Sequence, residues 1–192
     1  RWDAEEFARI KTKTINDIAR SQSNPNVVAN QVYNKLLYGE DHIFSYPTSG
    51  TEASVEAITI DDLKAYYNKN FSPSVASFQV VGKISKDKAL AQLDGLKNNW
   101  AAKDVVIPEY PVANNRDKAS LYFVDIPNAK QSVINIGYIS MPRTDKDFYA
   151  AEVMNYKLGG SFSGNVNLIL REEKGYTYGA RSGFNGSKVP GT

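Results

Sequence analysis

Residues 159–181 restrict the fold more than any other stretch. They run Gly159-Gly160-Ser161-Phe162-Ser163-Gly164, then Asn165 to Lys174, then Gly175-Tyr176-Thr177-Tyr178-Gly179-Ala180-Arg181. This order predicts a small-residue loop, a short helix, a glycine stop and a strand. Ser161 or Ser163 can cap the helix start by accepting a free backbone N–H. Val166, Leu168 and Leu170 supply an apolar side. Gly175 stands where a helix end takes a left-handed residue. From Tyr176 onward the side chains alternate: Tyr176, Tyr178 and Ala180 on one face, Thr177, Gly179 and Arg181 on the other.

Arg171 falls in the last helical turn and Tyr178 just beyond the glycine. With the strand folded back beside the helix end, guanidinium and phenol point into one space. Together they can hold peptide carbonyls or a carboxylate. The other reading pairs Arg171 with Glu172 or another surface carboxylate and makes the tyrosines half-buried sheet residues.

At 192 residues the chain is long enough for one or two domains. It is 42% hydrophobic and 23% charged, which suits a globular chain with a true core. A net charge of +2 is too small to argue for nucleic acid or an anionic membrane as partner. No apolar run approaches the roughly 20 residues of a membrane span. Cysteine is absent, which excludes disulfides, thiol catalysis and thiolate metal sites. The chain opens on Arg1 inside a helical pattern and stops at Pro190-Gly191-Thr192, so we expect a piece of a longer protein.

Read in order, residues 2–22 form a helix, with Trp2, Phe7, Ile10, Thr14, Ile15 and Ile18 at three- and four-residue steps. Pro25 opens a second helix to about Leu37. A loop rich in aromatic and turn residues covers 40–51. Thr51 or Ser54 starts a short helix to Ala57, and Thr59 caps another to about Asn70. Val75 to Ile84 reads as a strand buried on both faces, since Val80 and Val81 are adjacent. Ser85 caps a helix to about Trp100. Residues 101–118 hold Pro108 and Pro111 without periodicity and read as a linker between a domain at 1–100 and another at 119–192. Residues 121–126 and 131–140 are strands, and Asp145 precedes a helix to Leu158. The fold class expected is therefore α+β.

Several segments resemble the insulinase/pitrilysin family of zinc metallopeptidases. "LGGSFSGNVNLILREEKGYTYGA" is similar to the family segment that holds Leu-Gly-Gly, Leu-Arg-Glu, a Gly and a Tyr. "LLYGEDHIFSYPTSGTEASVEAITIDDLKAYYNKNFSPSVASFQVVG" resembles the region after the zinc helices, and "VDIPNAKQSVINIGY" the opening strands of the next domain. The resemblance implies a two-layer sandwich of mostly antiparallel sheet with helices on one face, and parts of two similar domains. It implies that Arg171 and Tyr178, seven positions apart, contact substrate, with Tyr176 a competitor for the tyrosine's role. Gly159 and Gly160 would let the substrate backbone approach.

The family's His-x-x-Glu-His motif is not in this chain, whose one histidine is His42, followed by Ile43-Phe44. No metal site and no catalytic residue can be assembled, and His42 reads as a loop histidine bonded locally. The third zinc ligand of the family aligns near Asn16-Asp17, so 2–22 reads like a zinc-free copy of the domain. The resemblance thus implies a chain inactive alone, with zinc in the parent protein or a partner. Its partners would be a peptide substrate and the zinc-bearing half or subunit. A scaffold or binding protein on the same fold is the alternative.

Overall fold

The structure, a computed structural model, describes residues 2–192. Its α-helices are α1 (Ala4–Ser21), α2 (Pro25–Tyr38), α3 (Glu52–Ala57), α4 (Ile60–Asn70), α5 (Lys86–Asn99), α6 (Phe148–Asn155) and α7 (Asn165–Asn167). Wider π-helical turns continue α6 through Tyr156–Gly160 and α7 through Leu168–Glu173. Short 3₁₀ turns lie at Ile43–Ser45 and Pro73–Val75. The chain divides into two compact units. One holds residues up to Arg20 and Ser49–Glu109; the other holds Ser21–Thr48 and Tyr110–Thr192.

In the first unit the helix starts follow local capping. Thr51 and Ser54 form a reciprocal capping box at α3, and Thr59 and Asp62 form one at α4. Ser85 accepts the Lys88 N–H at the start of α5. Trp2 with Phe7, Ile10 and Thr14 of α1 lines a groove of about 440 Å³ with Val55, Ile58, Ile60 and Leu63. Lys11 spans it, donating to the Glu56 and Ile58 carbonyls at 2.7 and 2.8 Å and satisfying groups freed at the end of α3. Ser72 is the most buried polar residue, at 1% exposure. Its hydroxyl donates to the Lys103 carbonyl and accepts the Lys103 N–H, tying residue 103 to the 3₁₀ turn.

In the second unit Asn24 caps α2 and Pro25 takes its first turn, as the sequence predicts. His42 is buried among Tyr38, Phe44 and Tyr110. Its Nε2 donates to the Pro111 carbonyl at 3.1 Å and its Nδ1 accepts the Phe44 N–H at 3.1 Å, which assigns the neutral Nε2–H tautomer. The Asn115 amide exchanges two hydrogen bonds with the backbone of Ile139, both 2.7 Å. Phe148, at 3% exposure, anchors the start of α6.

The expected sheet is not formed. Among the described residues there is no strand, so the α+β, mostly antiparallel two-layer sandwich is corrected to helices joined by segments without regular secondary structure. Residues 76–81, 119–126 and 133–142 have no regular helix, yet no backbone hydrogen bond joins 121–126 to 131–140. Alternating apolar residues favour an extended backbone, but a strand also needs its N–H and C=O groups paired with a neighbour. Here that ladder is missing, and the apolar side chains lie open: Val81 is fully exposed, Phe123 90% and Ile136 92%. The reading of Val80-Val81 as buried on both faces is corrected with it.

Candidate functional site

All the residues singled out around Arg171 lie in the second unit. The loop before α7 is built by tight backbone packing. Gly164 donates its N–H to the Ser161 carbonyl at 3.0 Å and is the N-cap of α7, without a side-chain cap. Neither Ser161 nor Ser163 caps the helix, so that expectation is corrected: the loop closes on itself through the backbone. The helix ends as predicted. Gly175 adopts φ +65°, and its N–H donates to the Arg171 carbonyl at 3.1 Å. Lys174 N–H reaches back five residues to the Ile169 carbonyl at 2.9 Å, the spacing of a π turn.

Gly159 is buried and Gly160 exposed, and both are pressed against this chain's own backbone. A Cβ on Gly159 would collide with the Ser182 Oγ and stand 2.7 Å from the Ser182 backbone N. A Cβ on Gly160 would stand 3.0 Å from the Asn155 Nδ2. The close approach that this glycine pair permits is therefore internal, to residues 155 and 182.

The Arg171 guanidinium lies over the Phe162 ring, 4.8 Å from its centroid. Its Nη1 is 3.3 Å from the Glu172 Oε1, within ion-pair range but not aligned as a hydrogen bond. That nitrogen is shut off from solvent and has no hydrogen-bond partner. The pairing with Glu172 is the one the plainer reading of the sequence gave. Tyr176 and Tyr178 are 78% and 89% exposed, and among the described residues neither is hydrogen-bonded to Arg171. The structure brings Arg171 to Phe162 and Glu172, and leaves both phenols in the open.

Two buried asparagines were not picked out by the sequence reading. Asn167, 3% exposed, accepts the Ala180 N–H on Oδ1 at 3.0 Å and donates from Nδ2 to the Phe162 carbonyl at 2.8 Å. Asn155, 5% exposed, donates to the Ser182 carbonyl at 2.9 Å and accepts the Ser182 hydroxyl at 2.6 Å. The signal was present: asparagine is a poor helix former, and Asn167 stands between Val166 and Leu168.

Elsewhere, Asp17 is paired with Lys13 at 2.5 Å and with Arg20, and these partners, Lys13 first, lower its pKa. Both His42 nitrogens are engaged. Among the described residues no three His, Cys, Asp or Glu side chains come together as a metal site.

Residues 57–192 match the family described as the peptidase M16 inactive domain. The chain is 26% identical over 176 residues to a Streptomyces coelicolor protein named an uncharacterized zinc protease, covering 90% of this chain and 38% of that one. A Bacillus subtilis protein with the same kind of name is 24% identical, covering 94% and 43%. A Helicobacter pylori protein named a non-peptidase homolog is 22% identical, covering 94% and 41%. The chain thus spans well under half the length of these relatives. The crystal structure of a peptidase M16 inactive domain from Pseudomonas fluorescens superposes with a TM-score of 0.84 at 25% identity, over 98% of this chain and 45% of that one.

Proposed function

The chain belongs to the peptidase M16 family through its inactive domain, and on that premise we propose that it supplies the zinc-free, substrate-holding half of a zinc metalloendopeptidase. The observation that carries the reading is the match of residues 57–192 to that domain. The residues present do not fit a zinc ion: His42 is spent on Pro111 and Phe44, and Asp17 on Lys13 and Arg20. Zinc and the activated water belong to another domain or a partner subunit, and no bond-breaking step is assigned to this chain.

What this chain would do is hold and enclose a peptide. Arg171 offers a guanidinium propped by Phe162, on a side chain that keeps about a third of its surface open while its Nη1 faces inward beside Glu172. A peptide carbonyl or carboxylate would meet the open part of the guanidinium with a charge-assisted hydrogen bond. Tyr178 or Tyr176, both exposed, would add a phenol from the neighbouring arm, while Gly159 and Gly160 let the loop pack closely on residues 182 and 155.

The testing experiment is metal content and peptide cleavage on the full-length protein, alone and with its candidate partner subunit. Zinc with chelator-sensitive cleavage in either preparation supports the reading. Absence of both from both preparations overturns it in favour of a scaffold, the second reading that the Helicobacter pylori homolog's name favours.

A further inference from the structure

Asn167 stands between the two groups assigned to the peptide. It is four residues before Arg171, and its Oδ1 holds the N–H of Ala180, two residues after Tyr178. Its Nδ2 holds the carbonyl of Phe162, whose ring lies under the Arg171 guanidinium. One buried amide therefore fastens both the platform of Arg171 and the arm that carries Tyr178. Three further bonds fix that arm downstream: Ser182 N–H to the Gly159 carbonyl at 3.1 Å, and two between the Asn155 amide and Ser182.

We infer that Asn167 is a positioning residue for peptide binding, setting the separation of Arg171 from the Tyr176–Tyr178 arm; this rests on the substrate-holding role proposed above. The physical basis is that a buried amide with both ends satisfied holds its partners in one geometry. An apolar replacement leaves the half-buried Ala180 N–H and the Phe162 carbonyl without the partner that holds them. Between the Tyr176 N–H, which donates to the Leu170 carbonyl at 2.9 Å, and Ala180, the arm is held only locally, with Thr177 and Gly179 bonded to one another.

The test uses the full-length protein with its zinc-bearing half. Asn167→Leu keeps the branched shape and removes both bonds; Asn167→Asp keeps the acceptor for Ala180. Ala180→Pro deletes the N–H while leaving Asn167 in place. In Asn167→Leu and Ala180→Pro we expect KM for peptide to rise about tenfold with kcat little changed, since binding is lost and not transition-state stabilisation. Hydrogen exchange at Ala180 should accelerate about tenfold or more in Asn167→Leu. Asn167→Asp should keep most of the exchange protection.

Unchanged Ala180 exchange in Asn167→Leu overturns the tether itself. Faster exchange with unaltered KM, where Arg171→Ala still impairs cleavage, overturns the positioning role alone. Faster exchange with both variants kinetically silent overturns the substrate-holding reading and this inference with it. If Asn167→Leu fails to fold, Ala180→Pro decides, and a wild-type KM there overturns the inference.

Discussion

Ser182 donates its backbone N–H to the Gly159 carbonyl at 3.1 Å, with no room for a side chain between them. A Cβ at 159 would stand 2.7 Å from the Ser182 N and 3.1 Å from its Cβ, so backbone would have to move. Gly159→Ala should therefore destabilise the chain by about 1–3 kcal/mol, the usual cost of overpacking. Chemical denaturation would show it as a lower midpoint. A midpoint equal to wild type would mean that the 159–182 contact yields freely.

Arg171→Ala should lower kcat/KM for peptide cleavage by roughly 2 kcal/mol or more, as loss of a charged hydrogen bond in a covered site. Arg171→Lys should recover only part of it. An ammonium keeps the charge but not the planar face that lies on Phe162. Steady-state kinetics on the full-length protein with its zinc-bearing half checks both, and wild-type values for Arg171→Ala would remove the residue from the site.

Ser72→Ala removes the hydroxyl that both donates to the Lys103 carbonyl and accepts its N–H. At 1% exposure neither water nor relaxation readily replaces it. The expected loss is about 1–3 kcal/mol, from leaving the part-buried Lys103 N–H unpaired and its carbonyl short of one donor. Ser74, which also donates to the Lys103 carbonyl, covers part of the gap, so the lower half of that range is expected. A thermal or denaturant melt of the variant reads it directly.

The Thr59 hydroxyl, and after it the Thr59 N–H, hold the Asp62 carboxyl below the ordinary aspartate range. A lowered folded pKa gives stability that is present above the unfolded value and lost as pH falls through the folded one. Thr59→Val deletes the larger cause. The Asp62 carboxyl should then titrate closer to ordinary aspartate, and the acid limb of stability attributable to this cap should shrink. Side-chain NMR titration follows it; an Asp62 curve unmoved by Thr59→Val would show that the hydroxyl is not the cause.

The helix boundaries were legible because their causes are local. Thr51, Thr59 and Ser85 each cap a backbone N–H three residues ahead, Asn24 caps one two ahead, and Gly175 turns left-handed where α7's continuation stops. Such bonds span at most a turn or so of chain, so residue order alone determines them. Family membership was legible too, in Leu158-Gly159-Gly160 and Leu170-Arg171-Glu172 with their following glycine and tyrosines. The caps at Ser161 and Ser163 failed because a glycine, Gly164, could start the helix through backbone bonds.

Tertiary structure decided what depends on partners distant along the chain. Alternation at 121–126 and 131–140 suits a strand but does not determine its pairing, and without a ladder the expected sheet is absent among the described residues. Asn155 meets Ser182 across 27 positions, and Asn167 meets Ala180 across 13. Arg171 rests on Phe162, nine positions back, while Tyr178 stands apart from it in solvent. A hydrogen bond or a ring contact between separated residues exists only once the chain between them has folded, and no local pattern in the sequence records which partner is reached.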